Sequence, residues 1–175
     1  MSLRKGQIQL YTGDGKGKTT AAVGQSLRAM GSGLEVLFVQ FMKSVPSGEV
    51  EMLRRCGGDL VEILRKWDDS FIIGRASERQ VALGEALWQE TMEALQRRPR
   101  DLLVLDEICV AIHFGLVKEE AVAGFLETKP ETLEVVLTGR DASPRLVEIA
   151  GLVTEMRKIK HYYDAGVEAR RGIEY

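Results

Sequence analysis

The chain has few of the residues and segments that mark several protein classes. Its only cysteines are Cys56 and Cys109, whose separation fits neither a metal nor a redox spacing, and it has only two histidines. No apolar run approaches the roughly 20 residues needed to span a bilayer, and the N-terminal residues lead directly into an apolar strand rather than a signal sequence. A net charge of −2 argues against broad binding to nucleic acid. We therefore expect a reduced cytoplasmic protein with buried thiols and no histidine-based metal site.

What remains is an ordinary globular composition. With 175 residues, 45% of them hydrophobic and 29% charged, we expect one domain over residues 1–175 with a sizeable core. Apolar strands alternate with amphipathic helices, which predicts an α/β fold with a mainly parallel central sheet between helical layers. The predicted strands are 7–11, 35–41, 59–64, 101–107, 134–140 and 152–156. The predicted helices are 21–30, 49–56, one from a cap at Ser77 to a point before Pro99, 108–114, 118–128 and 143–150.

A glycine-rich segment joins the first strand to the first helix. Glycines allow a turn whose backbone N–H groups point inward, and such a turn at a helix N-terminus is an anion site that usually binds phosphate. Lys18 would add a charge next to the phosphate oxygens, and Thr19 stands where a Mg²⁺ ligand is needed. The residues of this loop are Gly13, Asp14, Gly15, Lys16, Gly17, Lys18, Thr19 and Thr20. The usual spacing would place the first glycine at Thr12, so the loop is one residue short.

Three charged residues stand at the ends of later strands. Asp106 and Glu107 follow four apolar residues, the form of a Walker B segment, and Arg140 ends the strand after Thr138. Ligands of parallel sheets bind at the carboxyl ends of the strands, so these residues should converge on the loop. The carboxylates would then hold Mg²⁺, and Arg140 would neutralise charge on phosphate. A helix cap and a surface salt bridge are the respective alternatives. His161 and Asp164 are only suggestive, since an isolated histidine is usually structural.

These segments resemble the P-loop type of ATP:corrinoid adenosyltransferases. The resemblance rests on the loop, on Val39-Gln40-Phe41, on the strands ending at Glu107 and Arg140, and on the tail from Val153 to Tyr175. It implies a RecA-like three-layer fold, usually a homodimer, that transfers the 5′-deoxyadenosyl group of ATP to the Co(I) of a corrinoid and releases triphosphate. A flavoprotein reductase is a candidate partner.

The resemblance also implies roles for individual residues. Lys18 and the loop amides would hold the triphosphate, Thr19 and Glu107 would hold Mg²⁺ or Mn²⁺, and Arg140 would contact the nucleotide. Two departures stand out: Asp14 replaces the usual Asn, and Phe71-Ile72-Ile73 replaces a Phe-x-Trp element, so Phe71 is the candidate corrinoid contact. An ATP hydrolase or kinase and a non-catalytic ATP- or corrinoid-binding module are the alternatives that the residues leave open.

Overall fold

The computed structural model describes residues 3, 5–44, 47–68 and 71–174. Within these residues the strands are β1 Ile8–Thr12, β2 Val36–Gln40, β3 Val61–Arg65, β4 Leu102–Asp106, β5 Glu134–Thr138 and β6 Leu152–Glu155. The helices are α1 Lys18–Gly31, α2 Gly48–Gly57, α3 Glu78–Arg97, α4 Ile108–His113, α5 Glu119–Thr128 and α6 Pro144–Ile149. Short 3₁₀ turns occupy Gly58–Leu60 and Tyr162–Ala165.

All six strands join one parallel sheet in the order β3-β2-β4-β5-β1-β6. β5 lies between β1, which leads into the glycine-rich loop, and β4, which ends at Asp106. The register pairs Tyr11 with Thr138 and Gln40 with Asp106, so four strand ends reach the same edge of the sheet. The predicted P-loop α/β fold with a parallel central sheet is confirmed.

Alternate residues of the central strands fill two separate cores, one on each face of the sheet. Val36 and Phe38 of β2 pack with Ala22 and Ala29 of α1 and with Leu53 of α2. The residues between and after them point the other way, into a larger core formed with α3, α4, α5 and α6. Every residue of β2 and β4 is buried, as expected for strands covered on both faces. The three layers keep the loop and the strand ends in fixed relative positions.

Local sequence signals set several helix ends. Ser77 and Gln80 form the predicted capping box at the start of α3, with the Ser77 side chain accepting from the Gln80 N–H and the Gln80 side chain accepting from the Ser77 N–H. The Ser143 hydroxyl accepts from Leu146 N–H at the start of α6. None of the described helices is long and apolar enough to cross a membrane.

Some sequence predictions need correction. The strands predicted at 101–107 and 134–140 end at Asp106 and Thr138, so Glu107 and Arg140 lie in the turns that follow them. Buried thiols were expected at both cysteines, but only Cys109 is buried, and burial raises its pKa to about 12. Cys56 is exposed because the buried side of α2 is formed by Val50, Leu53 and Gly57.

Candidate active site

A cavity of about 510 Å³ opens at the carboxyl edge of the sheet. Four parts of the chain line it: the glycine-rich loop with the start of α1, the segment that joins β2 to α2, the turns after β4 and β5, and the C-terminal tail. The lining residues are 14–20, Val23, Lys43, Gly48, Glu49, Glu107, Arg140, His161 and 172–174. The loop and two of the three predicted charged strand ends thus share one cavity wall.

The glycines of the loop are required for two different reasons. Gly13 and Gly17 have φ of 93° and 123°, a backbone region that side chains disfavour. Gly15 has no such torsion but lies against the chain after β6, where its N–H donates to the Met156 carbonyl at 2.6 Å. A Cβ at Gly15 would come within 2.5 Å of that oxygen. The tail of the molecule therefore fixes the shape of the loop.

Lys18 is held inside the loop that it is expected to serve. Its Nζ donates to the Gly13 carbonyl at 2.5 Å and to the Gly15 carbonyl at 2.8 Å, and the side chain is buried. Burial lowers the pKa of Lys18, an effect that the nearby Glu107 carboxylate opposes. An ammonium group bound to two loop carbonyls lies where an incoming phosphate would compete for it.

Asp106 is the centre of a buried polar network beneath the loop. Its Oδ1 accepts from the Thr19 hydroxyl at 2.9 Å and from the Thr138 hydroxyl at 2.7 Å, and its Oδ2 accepts from Gln40 Nε2 at 3.0 Å. The side chain is fully buried. A buried carboxylate is tolerated only when such donors compensate the lost water. The network ties β4, β5, β2 and α1 together at the floor of the cavity.

Glu107 follows in a left-handed conformation, with φ 61° and ψ 21°. That conformation costs a non-glycine residue about 1 kcal/mol, and the Glu107 N–H bond to the Thr138 hydroxyl at 2.9 Å helps to hold it. The backbone consequently leaves the strand at Glu107, and the Glu107 side chain lines the cavity. Burial raises the pKa of Glu107, and the neighbouring Asp106 charge raises it further, whereas Lys43, Lys18 and Arg140 lower it.

Lys43 brings a further cation to the Asp106 network. Its Nζ lies 3.4 Å from Asp106 Oδ2 and 3.4 Å from the Thr19 hydroxyl oxygen. Arg65 Nη2 donates to the Lys43 carbonyl at 3.1 Å. Lys43 lies between the predicted strand 35–41 and the predicted helix 49–56, and the direction of its side chain depends on the unusual positive φ of Met42, 57°.

Arg140 reaches the cavity from the turn after β5. The preceding Gly139 has φ 141°, and a Cβ there would come within 2.8 Å of the Cys109 Cβ in α4. This close approach lets the chain turn sharply at the end of β5. Arg140 itself is exposed at the cavity wall, which suits a residue that meets a ligand from solvent.

The C-terminal tail closes one side of the cavity, and sequence reasoning did not predict this. Lys16 Nζ donates to the Ile173 carbonyl at 2.9 Å. Glu174 accepts from Arg170 N–H at 2.7 Å and from the Tyr162 hydroxyl, and the Arg170 guanidinium lies 4.9 Å from the centre of the Tyr162 ring. These partners lower the pKa of Glu174 to about 2. In the sequence, the tail from Val153 to Tyr175 stands out for its resemblance to the family and not for a contact with the loop.

The remaining predicted residues fall into three positions. Gly13, at the start of the loop, lies against Met156 and is not among the described residues that line the cavity, while the exposed Asp14 lines it. Phe71 is 90% exposed and is not among the described residues that line the cavity. Asp164 pairs with Lys158 at 3.1 Å on the surface. The roles assigned to all of these residues stay predictions.

The donors at the cavity floor suit a hard cation. The Thr19 hydroxyl and Asp106 Oδ1 are 2.9 Å apart, and Glu107 faces the same cavity. Mg²⁺ is usually held by one or two carboxylates together with phosphates and waters. The described residues contain no group of three or more histidine, cysteine or acidic side chains that could hold a metal alone. The residues therefore fit a cation that nucleotide and water help to bind.

A parallel α/β sheet, a glycine-rich loop capping α1 and a Thr19–Asp106 pair beneath it define a P-loop nucleotide-binding protein. Residues 4–175 match the family model described as ATP:corrinoid adenosyltransferase BtuR/CobO/CobP. The chain belongs to this family of enzymes.

Individual relatives agree with the family model over nearly the whole chain. The chain is 36% identical over 173 residues to a corrinoid adenosyltransferase from a Sinorhizobium species, covering 98% of this chain and 81% of that protein. It is 35% identical over 174 residues to the corrinoid adenosyltransferase of Escherichia coli K12, covering 98% and 86%. The corresponding protein of Pseudomonas aeruginosa is 33% identical over 176 residues, covering 98% and 84%. These matches give no support to the hydrolase, kinase or non-catalytic alternatives.

Proposed function

We propose that this protein transfers the 5′-deoxyadenosyl group of ATP to the Co(I) of a corrinoid and releases triphosphate. The observation that carries the proposal is the convergence of the shortened loop, Glu107 and Arg140 on one cavity, in a chain that matches the family over residues 4–175. In this reaction the reduced cobalt of the substrate donates an electron pair to C5′ of the ribose. The bond between C5′ and the triphosphate oxygen breaks, and the triphosphate leaves with that bond's electrons.

The protein has two tasks in this chemistry. It must align C5′ with the cobalt, and it must stabilise the negative charge that grows on the departing triphosphate. Lys18 and the loop N–H groups suit the second task because they lie at the N-terminus of α1, where an anion is favoured, and residues 14–20 line the cavity. Arg140, which lines the same cavity, would add a further positive charge. No serine or cysteine nucleophile is required, since the corrinoid itself supplies the nucleophile.

The proposed metal is Mg²⁺ or Mn²⁺, held by Thr19, Asp106 and Glu107. When bound, it would neutralise charge on the phosphate oxygens as a Lewis acid. The hydrogen bonds from Thr138 and Gln40 hold the Asp106 carboxylate in a fixed orientation for this purpose.

The corrinoid side of the site is proposed to include Phe71. Phe71 and Ile73 are each 90% exposed in the loop before α3, and exposed large apolar side chains close together are typical of a surface that binds another molecule. We further propose that residues 1–175 form a single domain, that the protein is a homodimer and that it is cytoplasmic. We also propose that a flavoprotein reductase reduces the corrinoid cobalt to Co(I). The resemblance to the family supports these points.

A spectrophotometric assay tests the reaction. The corrinoid is reduced to Co(I), MgATP is added, and loss of the Co(I) absorption is followed while the phosphate products are separated. We expect alkylated corrinoid and tripolyphosphate in equal amounts. Orthophosphate with ADP, or an unchanged Co(I) spectrum with bound ATP, would contradict the proposal.

A further inference from the structure

Lys43 lies where the proposed metal site has two of its ligands. Its ammonium nitrogen is 3.4 Å from both the Thr19 hydroxyl oxygen and Asp106 Oδ2. These two side chains are also joined to each other through Asp106 Oδ1. The singly charged ammonium group of Lys43 therefore lies next to the oxygens that a divalent cation would need as ligands.

The backbone around Lys43 fixes this arrangement. Phe41 N–H donates to the Asp106 carbonyl at 3.0 Å, which holds the end of β2 beside β4. Met42 then turns the chain through a φ of 57°, and Arg65 anchors the Lys43 carbonyl at 3.1 Å. The turn directs the Lys43 side chain back toward the sheet edge.

The contact with Asp106 is also open to change. The Lys43 side chain is 33% exposed and lines the cavity, whereas Asp106 is fully buried. At 3.4 Å the ion pair is longer than a close charge-assisted hydrogen bond, which is about 2.7–2.9 Å. A long, flexible side chain at a cavity wall exchanges one anionic partner for another at little cost.

We propose that Lys43 is the cationic partner of Thr19 and Asp106 when no nucleotide is bound, and that its ammonium moves to the triphosphate when metal and nucleotide enter together. Free divalent cation then binds weakly, because it must displace or tolerate a positive charge a few ångströms away. A bound nucleotide removes this repulsion, because the Lys43 ammonium group pairs with the triphosphate instead of with Asp106. The inference rests on the proposed metal site and assigns Lys43 a positioning role in it.

Mn²⁺ binding, followed by the loss of the free-ion electron paramagnetic resonance signal, tests the inference without turnover. In the absence of nucleotide we expect Lys43→Met to bind Mn²⁺ about tenfold more tightly than the wild type, because one opposing unit charge is gone. Lys43→Gln should behave in the same way and serves if the methionine variant folds poorly. Lys43→Arg keeps the charge and should resemble the wild type. So should Lys66→Met, which removes a surface lysine paired with Glu90 at 3.2 Å.

The same titration is repeated with tripolyphosphate present. The advantage of Lys43→Met for Mn²⁺ should disappear, and its affinity for Mn²⁺-tripolyphosphate should fall about tenfold, because the ammonium would be lost from the polyphosphate. Equal or weaker Mn²⁺ binding by both neutral variants without nucleotide would overturn the inference while leaving the metal site intact. Failure of the wild type to bind Mn²⁺ even with tripolyphosphate would overturn the metal site and the inference together.

Discussion

Replacing Gly15 with alanine isolates the role of close packing in the phosphate-binding loop. Gly15 does not have a φ in the left-handed region, so an alanine there would not add the torsional strain expected at Gly13 or Gly17. The added Cβ would lie 2.5 Å from the Met156 carbonyl oxygen, 2.8 Å from the Met156 carbonyl carbon and 2.9 Å from the Arg157 carbonyl carbon. All three are backbone atoms, which cannot move aside as the end of a flexible side chain would.

The loop and the tail must therefore separate. Overpacking of this kind typically costs about 1–3 kcal/mol, which for a protein of this size lowers the Tm by roughly 2–12 °C. Separation would also stretch the Gly15–Met156 hydrogen bond and displace the carbonyls that hold Lys18. We expect the affinity for tripolyphosphate to fall by more than the loss of stability alone implies, because the displaced loop would no longer hold Lys18 in its present position.

Thermal unfolding with and without tripolyphosphate, combined with calorimetric titration, measures both effects. Gly24→Ala is the matched control, because Gly24 is an exposed position in α1 where an added Cβ would meet no atom within 4 Å outside the helix's own backbone. That control should gain about 0.5–1 kcal/mol and bind normally. If Gly15→Ala were as stable as the wild type and bound tripolyphosphate equally well, the argument that the tail shapes the loop would be refuted.

Three further predictions concern single side chains. Lys18→Met should weaken MgATP binding by about 1.5–3 kcal/mol, at least tenfold in Kd, measured by calorimetry; near-normal affinity would refute the assignment of Lys18. Burial raises the pKa of Glu107 above its ordinary 4.5. Without metal, the contribution of Glu107 to the free energy of unfolding is therefore most favourable below pH 4.5 and is lost as the pH rises through the folded-state pKa. The stability of Glu107→Gln relative to the wild type should therefore increase as the pH rises above about 4.5 in urea unfolding with EDTA, and a pH-independent difference would contradict the pKa direction. Phe71→Ala should leave Tm and ATP affinity unchanged but lower the rate with corrinoid severalfold; equal losses in both would show that Phe71 is not a corrinoid contact.

The sequence predicted the parts of the site that depend on local patterns. The segment from Gly13 to Thr20 lies between a strand end and a helix start and contains several glycines. These local features are enough to predict the conformation of the loop. Glu107 and Arg140 follow parallel strands, whose carboxyl ends must reach one edge of the sheet. The first prediction used the glycines and the spacing of the motif, and the second used the geometry of parallel sheets.

Long-range contacts and single torsions were beyond those patterns. The C-terminal tail reaches the loop through the bond from Lys16 Nζ to the Ile173 carbonyl, which joins residues 157 positions apart, and no local signal predicts such a contact. Lys43 points at Asp106 because Met42 adopts a positive φ. A positive φ at a residue other than glycine cannot be predicted from the sequence pattern. The exposure of Cys56 was predictable in principle, since Val50, Leu53 and Gly57 already define the buried side of α2.

The orientation of bound nucleotide tests the central proposal most directly. A crystal structure of the protein with MgATP should show the triphosphate in the loop of residues 13–19, with Lys18 on its oxygens and the ribose C5′ facing an open cavity large enough for a corrinoid. A nucleotide with its terminal phosphate presented to water and its ribose enclosed by protein would contradict the proposal that the loop holds triphosphate as a leaving group.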